Sequence, residues 1–85
     1  MKKDYKKEVL DIISTGRFDI VTHLDDGPER PYNGCIHNLF TILEAESPTA
    51  TLLPPSDPRA RKGCKTYKVE YDNFLGHWTT IIWET

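Results

Sequence analysis

The chain has 85 residues, 38% of them hydrophobic and 28% charged, and its formal net charge at pH 7 is −2. This length predicts a single domain spanning residues 1–85, with a core too thin for a deep internal cavity. The small net charge provides no general attraction to nucleic acid or membranes, and no apolar run approaches the roughly 20 residues that span a bilayer.

The chain contains two cysteines, which are too few for a disulfide framework. Its positively charged first residues are not followed by the apolar segment of a secretory signal. We therefore expect a cytoplasmic protein with reduced thiols.

Residues 2–14 are predicted to form the first element, an amphipathic helix. Its apolar residues recur at helical spacing and form one stripe: Tyr5, Val9, Ile12 and Ile13. Gly16 then suits the left-handed position that ends many helices. We interpret the lysines on the other faces as solvated surface.

Four segments with distinct patterns follow the helix. Residues 17–24 alternate apolar and polar side chains and predict a strand, and residues 25–34 are rich in turn formers and predict a projecting loop. Residues 35–46 are apolar at their centre and are interpreted as a second strand, although helical spacing fits them as well. A short strand is predicted at 49–53.

The last third of the chain has the clearest hairpin pattern, with strands predicted at 64–72 and 77–84. Tyr67, Val69 and Tyr71 alternate with polar residues, so one face of the first strand should be buried. The second strand is apolar on both faces, which predicts a central position in the sheet. Between them, Asp72-Asn73 and Gly76 predict a loop of three to five residues.

Residues 54–63 form a proline-stiffened loop, which leads into a basic segment. That segment carries five cations and no acidic residue: Arg59, Arg61, Lys62, Lys65 and Lys68. Three interpretations fit: a hydrated loop, a contact with an acidic protein, or a site for single-stranded nucleic acid that stacks on Tyr67 and Tyr71.

The spacing of the cysteines, histidines and acidic residues gives little support for a metal site or a catalytic site. A Cys₂His₂ set exists, but its members lack the close pairing of structural zinc sites: Cys35, His37, Cys64 and His77. A cysteine with a histidine, or His23 with Asp25 or Asp26, would be adequate for hydrolysis, yet no catalytic motif accompanies them. We therefore predict no metal site, no cofactor and no catalytic residue.

The sequence as a whole predicts an α+β fold, with an N-terminal helix packed on a four- to five-stranded antiparallel sheet. The helix stripe should meet residues of the sheet such as Phe40, Ile42, Val69, Trp78 and Ile82. We expect a non-catalytic protein-binding module, an adaptor or inhibitor, because aromatic and arginine side chains dominate interfaces. Small size, mixed charge and aromatic hairpins also occur among inhibitors encoded by phages and plasmids.

The predicted partner contacts are basic and aromatic residues, each conditional on exposure: Arg59, Arg61, Lys62, Lys65, Phe74, Trp78 and Trp83. The partner is expected to be another protein, of acidic character, and not a membrane. Two alternatives stay open: a nucleic-acid-binding protein using residues 59–68, and a small hydrolase or nuclease using a histidine. A homodimer is a further expectation, if the second or the last strand lies at a sheet edge.

Overall fold

A computed structural model describes residues 5–31 and 48–85 of the chain. Its elements follow in this order: α1 Lys6–Thr15, β1 Phe18–Leu24, β2 Arg30–Pro31, β3 Thr49–Leu52, β4 Thr66–Asn73 and β5 Gly76–Glu84. The described strands form an antiparallel sheet in the order β2-β1-β5-β4-β3, in which β2 has only two residues. The predicted α+β architecture is confirmed, whereas the strand predicted at 35–46 lies outside the described residues.

Helix α1 ends as its sequence predicts. Gly16 adopts a left-handed backbone with φ of 74°, and its N–H donates to the carbonyl of Ile13 at 3.2 Å. At the other end, the N–H of Tyr5 donates to the carbonyl of Ala50 in β3 at 3.1 Å. The helix is therefore tied to the sheet immediately before its first turn.

The main core lies between α1 and one face of the sheet. Val9, Ile12 and Ile13 of the helix are buried there. The sheet contributes Ala50, Tyr67, Val69 and Ile82. The expected contacts with Val69 and Ile82 are confirmed, but Trp78 is half-buried outside this cluster. Phe40 and Ile42, also expected in this core, lie outside the described residues.

The opposite face of the sheet contains a second, smaller cluster. Ile81 and Trp83 of β5 are buried there with Leu53, and Val21 and Cys64 pack against them. Strand β5 pairs with β1 on one side and β4 on the other, which confirms its predicted central position. Because β5 is not an edge, the last strand does not offer the free edge on which the homodimer expectation partly depended.

The β4–β5 hairpin has a shorter loop than the sequence predicts. Asn73 pairs with Gly76, so only Phe74 and Leu75 connect the two strands. The predicted loop length of three to five residues is therefore wrong. Two hydrogen bonds from Asp25 fix the start of β5 at His77 and so extend the strand to Gly76. The Asp25 carboxylate accepts from the N–H of His77 at 3.0 Å, and the Asp25 N–H donates to the His77 carbonyl at 2.7 Å.

Candidate functional site

The loop formed by residues 54–65 is fastened to the second face of the sheet through Trp83. The indole Nε1 of Trp83 donates to the carbonyl of Arg59 at 2.8 Å. The guanidinium carbon of Arg61 lies 4.0 Å from the centroid of the Trp83 ring, and its Nη1 donates to Asp19 Oδ2 at 2.6 Å. The ring is therefore enclosed between the sheet and the loop, and the loop is an ordered arm.

Two further contacts set the course of this 54–65 loop. Asp57 accepts from the backbone N–H of Arg59 at 2.8 Å and from its Nε at 3.4 Å. These hydrogen bonds lower the pKa of Asp57, the backbone bond having the larger effect. The N–H of Arg61 donates to the hydroxyl of Thr66 at 3.2 Å, which joins the loop to the first residue of β4.

A cleft of about 480 Å³ opens where the 54–65 loop meets the ends of β3 and β4. Its apolar lining comes from Leu52, Leu53, Pro55 and Ala60. Its polar lining is cationic, with Arg61, Lys62 and Lys65 beside the thiol-bearing Cys64. We call this feature the basic cleft. Its volume falls in the range of about 300–1,000 Å³ that is usual for ligand sites.

Among the described residues, some of the cations in the basic segment are paired with carboxylates, and others are not. Arg61 forms an ion pair with Asp19. Arg59 Nε lies 3.4 Å from Asp57 Oδ1, and Lys68 Nζ lies 3.6 Å from Glu70 Oε1. Within residues 5–31 and 48–85, no carboxylate oxygen lies within 4.0 Å of the ammonium of Lys62 or Lys65, and both side chains are exposed. The free positive charge of the cleft is therefore concentrated on these two lysines.

The structure brings together only part of the predicted contact set. Arg61, Lys62 and Lys65 line the same cleft. Phe74 is 94% exposed but lies at the other end of β4, about 23 Å away for eight residues of strand. Trp83 is 8% exposed and does not satisfy the condition of exposure.

Trp78 and Arg59 lie apart from the basic cleft. Trp78 is half-buried and lines a second hollow of about 280 Å³, beside His23 and Arg30. Arg59 is half-buried and faces Asp57. Leu52 was missed in the sequence: it is 39% exposed and lines the basic cleft. Its place at the end of a predicted strand, next to the proline loop, was the available signal.

The aromatic residues that supported nucleic-acid binding are not accessible. Tyr67 is 3% exposed and Tyr71 is 8% exposed, and Tyr67 packs beneath α1 in the main core. Because β4 alternates, Lys68 points to the opposite face of the sheet from these two rings. The arrangement of cations beside stacking rings that this alternative requires is therefore absent from the described hairpin.

Of the described histidines, His77 meets acidic side chains, but away from the basic cleft. His77 Nδ1 lies 2.7 Å from Asp72 Oδ1, and its Nε2 lies 3.5 Å from Glu70 Oε1. The hydrogen bond to Asp72, followed by that to Glu70, raises the pKa of His77. His23 Nδ1 instead contacts the backbone carbonyl of Asp25 at 2.8 Å, and the Asp25 carboxylate is engaged by the His77 N–H.

The described part of the chain holds no cluster of three or more metal-ligating side chains. Cys64 is a free thiol just before β4, while His77 lies beside the hairpin loop at the far end of that strand. These two members of the Cys₂His₂ set are therefore not brought together. Cys35 and His37 lie outside the described residues.

Comparisons with known proteins find no relative: no family model, no curated protein and no solved structure matches the chain. Among the described residues, no helix combines the length and apolarity needed to cross a membrane. The basic cleft is the arrangement on which a functional argument can be built.

Proposed function

We propose that this chain is a small, non-catalytic protein-binding module, an adaptor or inhibitor, that holds an acidic and partly apolar segment of another protein. The observation that supports this proposal is the basic cleft, in which an apolar lining meets two lysines that no described carboxylate engages. The cytoplasmic setting expected from the sequence belongs to the same proposal.

The chemistry of the cleft favours a ligand with two features in close succession. An apolar side chain would cover the exposed surface of Leu52, and burial of apolar surface contributes roughly 25 cal/mol per Å². A neighbouring carboxylate would pair with Lys62 or Lys65, which fixes orientation and excludes cationic partners. An Asp or Glu beside Leu, Ile or Phe satisfies both requirements.

The two alternatives from the sequence have weaker support. Nucleic-acid binding lacks its aromatic platform, and three of the five basic residues are paired with carboxylates: Arg59, Arg61 and Lys68. Hydrolysis would require a histidine in a cleft beside an acid or base. His77 has acidic neighbours but does not line the basic cleft. His23 lines the second hollow, but its Nδ1 contacts the backbone carbonyl of Asp25 and not a carboxylate.

The proposal is tested by selecting ligands from a displayed library of random peptides on the purified protein. Peptides that combine acidic and apolar residues should be enriched. Their affinity should then fall about tenfold or more for Lys62→Glu/Lys65→Glu, which corresponds to roughly 1.4 kcal/mol. The matched control is Lys7→Glu/Arg17→Glu, which changes net charge equally at exposed positions outside the cleft.

Fluorescence anisotropy with a labelled peptide measures both variants under the same conditions. An equal loss of affinity in the two variants would show a general effect of charge and would contradict a cleft-specific site. Enrichment of no peptide class would contradict the proposal as a whole. Tighter binding of a single-stranded oligonucleotide than of any peptide, with a steep dependence on salt, would favour the nucleic-acid alternative.

A further inference from the structure

The two ends of the β4–β5 hairpin differ sharply in charge. At the start of β4, residues 58–69 contain no Asp or Glu, and they include Lys62 and Lys65 of the basic cleft. At the other end, residues 69–77 contain no Lys or Arg and include Asp72, whose side chain is 81% exposed. The hairpin therefore joins a cationic apolar cleft to an acidic loop.

The acidic end, which we call the hairpin tip (residues 72–77), presents an exposed aromatic ring. Phe74 is 94% exposed and the adjacent Leu75 is 56% exposed, so the two-residue loop presents a small apolar surface to solvent. Asp25 is bonded to the backbone of His77 and places a second carboxylate beside Gly76, with exposed Asp26 next to it in the chain. The loop that carries Phe74 therefore lies between Asp72, two residues before it in the chain, and the Asp25 carboxylate at Gly76.

These surroundings limit what the tip can bind. Nucleic acid and anionic membrane surfaces carry the same sign of charge as Asp25, Asp26 and Asp72 and would be repelled. A complementary site needs an apolar hollow with a cationic rim. The basic cleft has this composition, with Leu52 and Leu53 beside Lys62 and Lys65.

We propose that the basic cleft of one copy of this chain receives the hairpin tip of a second copy, with Phe74 in the apolar hollow. Asp72 bonds His77 through Oδ1, so its Oδ2 is the oxygen that would lie near the lysines. The inference deepens the proposed function and rests on it, since it names an occupant for the same cleft. The tip cannot enter the cleft of its own chain, because about 23 Å of paired strand separates them.

A tip-in-cleft contact is heterologous, because different surfaces of the two copies meet. Repetition of such a contact produces a ring if the rotation closes and an open chain if it does not. One aromatic side chain in one cleft buries far less than the roughly 1,600 Å² of a standard stable interface. The association should therefore be weak, dimers should precede larger species, and added salt should weaken it further.

Sedimentation velocity on the full chain between about 10 µM and 1 mM tests the proposal. The mean sedimentation coefficient of the wild type should rise with concentration. Phe74→Ser removes the ring at an exposed position, and Lys62→Glu/Lys65→Glu removes the cationic rim at exposed positions. Each variant alone should stay monomeric, with a far-ultraviolet circular dichroism spectrum like that of the wild type.

An equimolar mixture of these two variants provides the decisive control. The Phe74→Ser copy keeps an intact cleft and the Lys62→Glu/Lys65→Glu copy keeps an intact tip, so one junction can form per pair. The mixture should form dimers and nothing larger. A monomeric mixture, a wild type that stays monomeric at all concentrations, or a Phe74→Ser variant that associates like the wild type would overturn the inference.

Peptide affinity separates this failure from failure of the proposed function. A wild type that stays monomeric but binds acidic apolar peptides through Lys62 and Lys65 would overturn self-association alone. A wild type that neither associates nor binds such peptides would overturn both.

Discussion

Replacement of Trp83 by Phe tests whether the 54–65 loop is held on the sheet as described. The substitution keeps an aromatic ring under Arg61 but removes the indole N–H that donates to the Arg59 carbonyl at 2.8 Å. It also removes buried ring atoms from a side chain that is only 8% exposed. The change therefore affects the joint between the loop and the sheet.

The expected destabilisation has two parts. The lost hydrogen bond contributes about 0.5–1.5 kcal/mol, because it leaves the Arg59 carbonyl without this donor. The removed ring atoms contribute roughly 1–2 kcal/mol of lost burial, on the basis of about 0.8 kcal/mol for each buried carbon. The sum, about 1.5–3.5 kcal/mol, is large beside the roughly 4–13 kcal/mol expected for a domain of 85 residues.

Urea unfolding followed by far-ultraviolet circular dichroism measures this change without depending on the removed fluorophore. The free energy of unfolding should fall by about 1.5–3.5 kcal/mol, and the melting temperature by about 6–28 °C. In hydrogen exchange, the amide of Arg61, bonded to the Thr66 hydroxyl, should lose more protection than the amides of β1. A loss of stability below about 0.5 kcal/mol, with unchanged exchange in the loop, would refute this account of the loop.

Four further substitutions have effects that the structure specifies. Hydrogen bonds to Asp72 and, less strongly, to Glu70 raise the pKa of His77 in the folded protein. Protonated His77 therefore stabilises the fold. This stabilisation is complete below the unfolded pKa of 6.5 and is lost as pH rises through the higher folded pKa. Urea midpoints from about pH 6 to about pH 8 should therefore fall more for the wild type than for His77→Gln, and equal falls would contradict the contact. Gly76→Ala should cost about 1–3 kcal/mol in urea unfolding, because its Cβ would lie 2.6 Å from Asp25 Oδ2 at a φ of 140°. Gly63→Ala, at a φ of 85° with nothing within 4 Å, should cost less, and the reverse order would be evidence against the Asp25 contact. Arg61→Lys keeps the charge but removes the guanidinium that lies over the Trp83 ring, so the free energy of unfolding should fall by about 0.5–1 kcal/mol. No change would show that this contact contributes nothing.

The repeating patterns of the sequence predicted the helix and four of the five described strands. The exception is β2, which falls in the segment 25–34 that was predicted to be a projecting loop. The alternation of Tyr67, Val69 and Tyr71 gave the buried face of β4, and the two apolar faces of β5 indicated its central place in the sheet. These patterns are informative because burial acts on every second residue of a strand. Gly16 likewise ended the helix as expected, since a left-handed residue suits glycine.

The features that the sequence did not reveal depend on contacts between distant segments. The hairpin loop is shorter than predicted because Asp25, 52 residues before His77, bonds to the hairpin backbone. Nor did any local pattern show that the 54–65 loop would cover Trp83, because Arg61 contacts both Trp83 and Asp19 from separate parts of the chain. Periodicity reports burial but not which segment provides it.

One part of the site could have been interpreted better from the sequence alone. The alternation that predicted β4 already placed Lys68 on the opposite face from Tyr67 and Tyr71. A combined site of stacked rings and cations was therefore inconsistent with the predicted strand. By contrast, the grouping of Lys62 and Lys65 with Leu52 required the turn around Asp57, which only the folded loop shows.

The central claim is that the basic cleft binds an acidic apolar segment, and an NMR titration tests it most directly. The ¹⁵N-labelled protein, dilute enough to be monomeric, is titrated with an acetylated Asp-Phe-Leu-Asp peptide amide. The largest shift changes should fall on Leu52, Leu53 and the amides of residues 61–66, with little change in β1. Changes centred elsewhere, or no change at millimolar peptide, would contradict the claim.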